Sequence, residues 1–319
     1  MAAALNCSLL PNPFTPDEFL PPDVAHQFQT ATYVLVGTMG AYVWISLSNV
    51  VDDYKFVTTT KVSIGTVAYF LSRISTFGYI FGTTLFQTYP LKRCHFALQF
   101  AQTLFVVANP VTSLLFFLRA WAIFDRDPYF VCFFFCAWLS VLGAAITVPI
   151  GVKGGNIGPT DFCVEVSAAK YIGGANVTTT TFHDTFIFLA ISWRLFKHSH
   201  LDPGIKKNFR AFVTGKYLPQ FSRAVLQDGQ LYYLITITSN LLTLIMFYAT
   251  SLEESTMFPV PNLMVANVMA CHVFRKTKLG LQRRVVTTSE IKTRDTSSVI
   301  FMNTRNLNLA SRVKIEHPD

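Results

Sequence analysis

Residues 62–87 read VSIGTVAYFLSRISTFGYIFGTTLFQ, and apart from its tyrosines this run holds a single ionisable side chain, Arg73. A run of this length with one charge is long enough to cross the ~30 Å hydrocarbon core of a bilayer, which takes about 20 residues of helix. Six further stretches read the same way: 32–51, 95–118, 129–150, 177–195, 230–250 and 258–274. The last is the shortest and carries Pro259 and Pro261 at its start. Only 14% of the 319 residues are charged, 51% are hydrophobic, and the mean hydropathy is +0.38. A soluble domain carries about 25% charged residues. The expectation is an all-α integral membrane bundle of seven helices. Residues 1–31 form an outer segment, 32–276 the seven-helix domain, and 277–319 a polar, disordered tail rich in Ser and Thr.

The net charge of +8 is located by topology. Of the 26 Lys and Arg, four lie on the side of the N-terminus (Lys92, Arg93, Lys153, Lys170), 21 on the opposite side, and Arg73 within a span. Cytoplasmic loops carry the excess of basic residues, so the N-terminus faces outward and the C-terminus the cytosol. Nucleic acid is not needed to explain the charge. The opening residues MAAALNCSLLPNPF lack the charged start of a cleavable signal, and the first span itself is the targeting signal. The expected location is a multi-pass membrane protein of the plasma membrane or an endomembrane.

Two sequons, at Asn6 and Asn176, fall on the outer side as candidate glycosylation sites, Asn176 close to a span boundary. Cys94 opens the third span and Cys163 lies in the second outer loop. Both are on the oxidising side, where a disulfide is chemically permitted; two free loop thiols are the alternative. Past the last span, Arg275, Lys276, Lys278, Arg283 and Arg284 form a basic cluster facing anionic lipid or acting as stop-transfer charges.

Arg73 lies about 16 Å deep at 1.5 Å per residue, near the midplane. Such charges usually face the bundle interior and carry a partner. Asp184, about 12 Å down the fifth span, is the one acidic residue inside a span. The expectation is an intramembrane pair of Arg73 with Asp184, serving to hold two helices together or to contact a ligand. The alternative is a snorkelling Arg73 beside a protonated Asp184. His183, Asn109 and Thr112 are candidates for an adjoining polar pocket, and Pro110 for a kink in the third span.

NVVDDYKF, AYFLSRIS, TSLLFFLRAWAIF, NIGPTDFC, HDTFIFLAISWRL, YLPQFSRAVLQDGQLYYLITITSN and VPNLMVANVMACHVFRKTKLG together resemble a group of multi-pass membrane proteins of mushroom-forming basidiomycete fungi, a family without an assigned activity. The resemblance covers roughly residues 32–280 and implies a seven-helix integral membrane protein. His272 stands where that group carries arginine.

Three functional classes remain. A receptor-like protein would meet an extracellular ligand outside and a cytosolic partner at the basic 197–229 loop. It would lack the acidic residue before the arginine of LRAW (116–121 reads FFLRAW), any Asn-Pro-x-x-Tyr in the last span, and a retinal-binding lysine there. A secondary transporter or channel would use Arg73 and Asp184 along its path, but no inverted repeat is visible. An enzyme is not expected: His95, His183, His198, His200 and His272 do not converge in depth, and no hydrolase or phosphate-binding motif is present. No cofactor or metal is expected.

Overall fold

The computed structural model describes residues 19–59, 63–124, 127–168, 170–198, 230–249 and 257–278. Among these the chain is almost entirely helical: α1 (Pro22–Ser48), α2 (Val50–Thr59), α3 (Ile64–Thr88), α4 (Cys94–Ile123), α5 (Pro128–Gly151), α6 (Lys170–His198), α7 (Gln230–Ala249) and α8 (259–278). One two-stranded hairpin, β1 (Val152–Asn156) and β2 (Cys163–Ala168), separates α5 from α6. A first compact unit ends at Phe274; the second begins at Arg275, and its described residues, 275–278, are helical. Asn6, Arg283, Arg284, most of the 197–229 loop and the tail beyond 278 lie outside the described residues.

The helix ends follow local chemistry. Proline at the first position starts α1 and α5, where its missing N–H costs nothing. Asp127 caps α5 by accepting from the Tyr129 amide at 3.1 Å. Two expected boundaries move. α1 begins at Pro22 rather than 32, drawing ten residues of the expected outer segment into a helix. α6 begins at Lys170 rather than 177, because polar residues such as Asn176 sit inside the bundle, where hydropathy alone does not look for a helix. Pro110 lies within α4 without ending it, and the α5 indole Trp138 donates to the Pro110 carbonyl at 2.9 Å.

Four helical segments, Pro22–Ser48, Cys94–Ile123, Pro128–Gly151 and Tyr232–Ala249, are long and apolar enough to cross a membrane. α3 and α6 match them in length, at 25 and 29 residues, but dilute their apolar residues with Ser, Thr, Arg73, His183 and Asp184. α4 is the central element: 61% of its apolar window is buried, against 17% for α1, and it touches α3, α5, α6 and β1. Small residues let α3 approach closely: a Cβ on Gly82 would stand 3.2 Å from the Ala101 Cβ, and one on Gly78 only 2.9 Å from Leu104. The outward faces are apolar, with Trp44, Ile74, Phe96, Ile146 and Trp193 all half or more exposed. That surface is compatible with a membrane location.

The hairpin caps one end of the bundle. Cys94 and Cys163 form a disulfide, Cα atoms 5.4 Å apart, that fastens β2 to the start of α4. Around it pack Phe86, Leu98 and Leu91. Gly154 of β1 faces this junction: a Cβ there would sit 3.1 Å from the Cys94 carbonyl and 3.2 Å from Leu98 and Phe86. The turn is made at Gly158, with φ of +53°, a left-handed conformation that glycine adopts without steric cost. The Leu91 amide donates to the Asp161 carbonyl at 2.7 Å, a second tie between hairpin tip and bundle.

Candidate functional site

The interior of this apolar bundle is polar, and its polar groups are arranged in three knots. The first surrounds Arg73. Its Nη1 donates to Asp53 of α2 and to the Tyr69 hydroxyl at 3.1 Å, while Tyr69 in turn donates to the other Asp53 oxygen. The expected Arg73–Asp184 pair is therefore not formed. The physical reason lies in α2, a short helix that plugs Phe56 into a cage of Tyr69, Phe70 and Phe274. Phe56 is fully buried there, which brings Asp53 under α3. The arginine stem spans about one helical turn, so its head reaches down past Tyr69 rather than across the bundle. Both charged side chains keep 16% exposure.

The second knot joins α1, α3, α4 and α8. The Tyr42 hydroxyl lies 3.1 Å from both the Arg73 carbonyl and Asn267 Oδ1, sharing its one proton between them. Asn267 Nδ2 donates to Thr112 Oγ1 at 3.1 Å. Cys271 stands against Ser72 and Asn267, at 3.7 and 3.9 Å. A separate bond set ties α4 to α6: Asn109 Nδ2 donates to Asn176 Oδ1 at 3.3 Å and to Thr180 Oγ1 at 3.2 Å.

The third knot holds Asp184. One carboxylate oxygen accepts from Asn240 Nδ2 at 3.0 Å, and the other lies 3.1 Å from His183 Nδ1. Asn240 Oδ1 accepts from Asn262 Nδ2 at 2.9 Å, and Asn262 Oδ1 from the Ser239 hydroxyl at 2.6 Å. The chain runs α6–α7–α8. His183 and Asp184 are 2% and 4% exposed, so each polar group must find its partner inside the protein. Among the described residues His183 Nε2 has none. The Arg119 guanidinium covers the Tyr233 ring at 5.1 Å.

The expected pocket of His183, Asn109 and Thr112 is thus divided. All three are buried, but Asn109 serves α6, Thr112 serves α8, and His183 serves Asp184. Asn176 is also corrected. It is a helical residue 6% exposed and bonded to Asn109, so its amide cannot carry a glycan in the folded chain. Sequence reasoning missed Asp53, Tyr42, Asn240, Asn262 and Asn267. The asparagines were visible as the amides inside otherwise apolar runs, a signal weaker than charge but of the same kind.

Among the described residues no group of three His, Cys, Asp or Glu is placed to hold a metal ion. No protein-family model matches the chain, and no curated protein matches it by sequence.

Proposed function

We propose that the protein is a receptor-like membrane protein of seven spans, α1 and α3–α8, with the hairpin outside and α2 on the cytosolic face. The observation that carries this reading is the consumption of both bundle charges by fixed partners, Arg73 by Asp53 and Asp184 by Asn240 and His183. A transport path needs charged groups that can release one partner for a substrate; here they tie helices to each other. The receptor-like comparison rests on architecture, an outer hairpin pinned by a disulfide over a hydrogen-bonded bundle, and so is a fold-level analogy. We further propose membership of the basidiomycete group, a glycan at Asn6, a ligand on the outer side, a cytosolic partner at 197–229, no enzymatic activity and no nucleic acid partner.

Topology is tested by labelling single cysteines with an impermeant maleimide, in a background lacking Cys7, Cys132 and Cys136. Tyr171 and Tyr129 start α6 and α5 and are 93% and 87% exposed. Tyr171→Cys is labelled in intact cells and Tyr129→Cys only after permeabilisation; the reverse pattern overturns the orientation. The transporter alternative requires a proton- or ion-coupled current in proteoliposomes that Asp184→Asn abolishes, and such a current would displace the receptor reading.

A further inference from the structure

Among the described residues, Glu165 of β2, Tyr79 of α3 and Gln102 of α4 are polar side chains without a hydrogen bond on the hairpin side of the bundle. Glu165 is paired in register with Gly154, and residues opposite one another on an antiparallel pair share a face. The Gly154 face is the one that meets Cys94, Leu98 and Phe86, so the Glu165 side chain is directed at the bundle and not away from it. Among the described residues no hydrogen bond or ion pair reaches its carboxylate, and it interacts electrostatically with Tyr79 of α3. Tyr79 is 4% exposed and Gln102 of α4 is 8% exposed. Among the described residues no hydrogen bond reaches the side chain of either, yet neither belongs to the polar groups sealed off by surrounding atoms. At 1.5 Å per residue both stand about 12–14 Å below the hairpin-side ends of their helices. Two polar ends that are neither bonded nor sealed, at similar depth on the adjacent helices α3 and α4 and on the side of a half-buried acid, have the character of a binding site.

The surroundings select the ligand. The ring of Tyr79 packs on Phe105 at 5.1 Å, and Leu35, Val260 and Leu263 close the same cluster. Glu165 is the ionisable group that the hairpin turns towards the bundle; the neighbouring charges, Lys153 on β1 and Arg93 and His95 at the start of α4, are exposed. An anion would meet a carboxylate there with no compensating cation. A cation would gain a counter-ion in a poorly hydrated setting, where an ion pair is stronger than in water, and an attached apolar body would fill the aromatic floor.

We propose that the outer mouth of the bundle binds a small organic cation, a protonated amine carrying an aromatic or aliphatic body, with Glu165 as its counter-ion and Tyr79 and Gln102 as neutral hydrogen-bond partners. This assigns a ligand class to the receptor-like reading and rests on it for the hairpin facing outward. Burial lifts the Glu165 carboxyl to about 7. A bound cation holds it ionised, so binding must displace a proton below that pH.

The test uses the full chain in nanodiscs, with 2-phenylethylamine as probe, 2-phenylethanol as its neutral counterpart, and saturation-transfer NMR against empty nanodiscs. The expected result is saturable binding of the amine alone, weakened about tenfold or more in Glu165→Gln, as loss of a charge-assisted contact implies. Tyr79→Phe keeps the ring and should weaken binding several-fold. Affinity should fall as pH is lowered below 7 in the wild type and stay flat in Glu165→Gln. Equal binding of amine and alcohol, no binding of the amine, or an unchanged Glu165→Gln overturns the site. Binding is read without reference to sidedness, so it can fail while the Tyr171→Cys labelling succeeds, and the reverse.

Discussion

Removing Asp53 leaves the Arg73 guanidinium in a half-closed site without its carboxylate partner, against the hydroxyl and ring of Tyr69. Breaking a fully buried pair by deleting one partner costs about 3–5 kcal/mol, and an exposed pair is worth about 0–1 kcal/mol. With 16% exposure on each side chain the Arg73–Asp53 pair lies nearer the buried limit. Asp53→Ala should therefore destabilise the folded bundle by about 2.5–3 kcal/mol. Arg73→Met alone should cost a similar amount, since it removes the ion pair from the Asp53 carboxylate. The double variant removes both charges together and should recover part of the loss, giving a coupling energy of about 1–2 kcal/mol. Asp184→Asn shares no partner with Arg73, so the cycle of Arg73→Met with Asp184→Asn should be additive within about 0.5 kcal/mol. The assay is reversible unfolding in mixed micelles titrated with SDS, followed by tryptophan fluorescence. Additivity between positions 53 and 73, or coupling above about 1 kcal/mol between 73 and 184, would refute the assignment of Asp53 as the counter-ion.

Three further outcomes are expected. Glu165 carries a folded-state pKa of about 7, above the ~4.3 of a free glutamate; the folded state binds the extra proton, so its contribution to stability is full below about 4.3 and lost as pH rises to about 7. Thermal melts of Glu165→Gln should lack that fall, and a matching fall in the variant would exclude Glu165 as its source. Asn176→Gln should leave the glycosidase mobility pattern unchanged, whereas Asn176→Ala should lower stability by about 1 kcal/mol by removing one of the two acceptors of Asn109 Nδ2 and leaving Thr180; a glycan lost in Asn176→Gln would contradict the buried helix. Gly154→Ala forces a methyl against the Cys94 carbonyl, Leu98 and Phe86 and should cost about 1–3 kcal/mol, read as a drop in melting temperature; no drop would mean the hairpin stands off the bundle.

The readable part of this protein was the part that hydropathy and redox chemistry address. Long apolar runs located the helices, and two cysteines expected on the same, oxidising side pointed to the disulfide. Arg73 was visible as a charge needing an answer, but depth counting sought the answer at the same level. Two facts outside that count decided it: arginine is long enough to reach past Tyr69, and residues 50–59 fold into a helix that buries Phe56. A ten-residue amphipathic piece between two longer helices reads as a loop to hydropathy. The start of α6 was hidden for the opposite reason, since Asn176, Thr180 and their neighbours are polar residues that face inward to asparagine on α4. The hairpin's direction, and with it the position of Glu165, depended on register, which no single-strand pattern supplies.

α5 passes into β1 without an intervening residue, Gly151 to Val152. Pro149 sits in that last turn, and the Gln99 amide of α4 binds both the Pro149 and Val152 carbonyls, at 2.8 and 3.0 Å. Midway along the same helix, Trp138 grips the Pro110 carbonyl at the proline of α4. Helix and hairpin thus form one lever with two clamps and no slack between them. A push on the hairpin cannot be absorbed as a hinge at its root, so it arrives at Trp138 as torque on α5, delivered to the carbonyl of the proline inside α4.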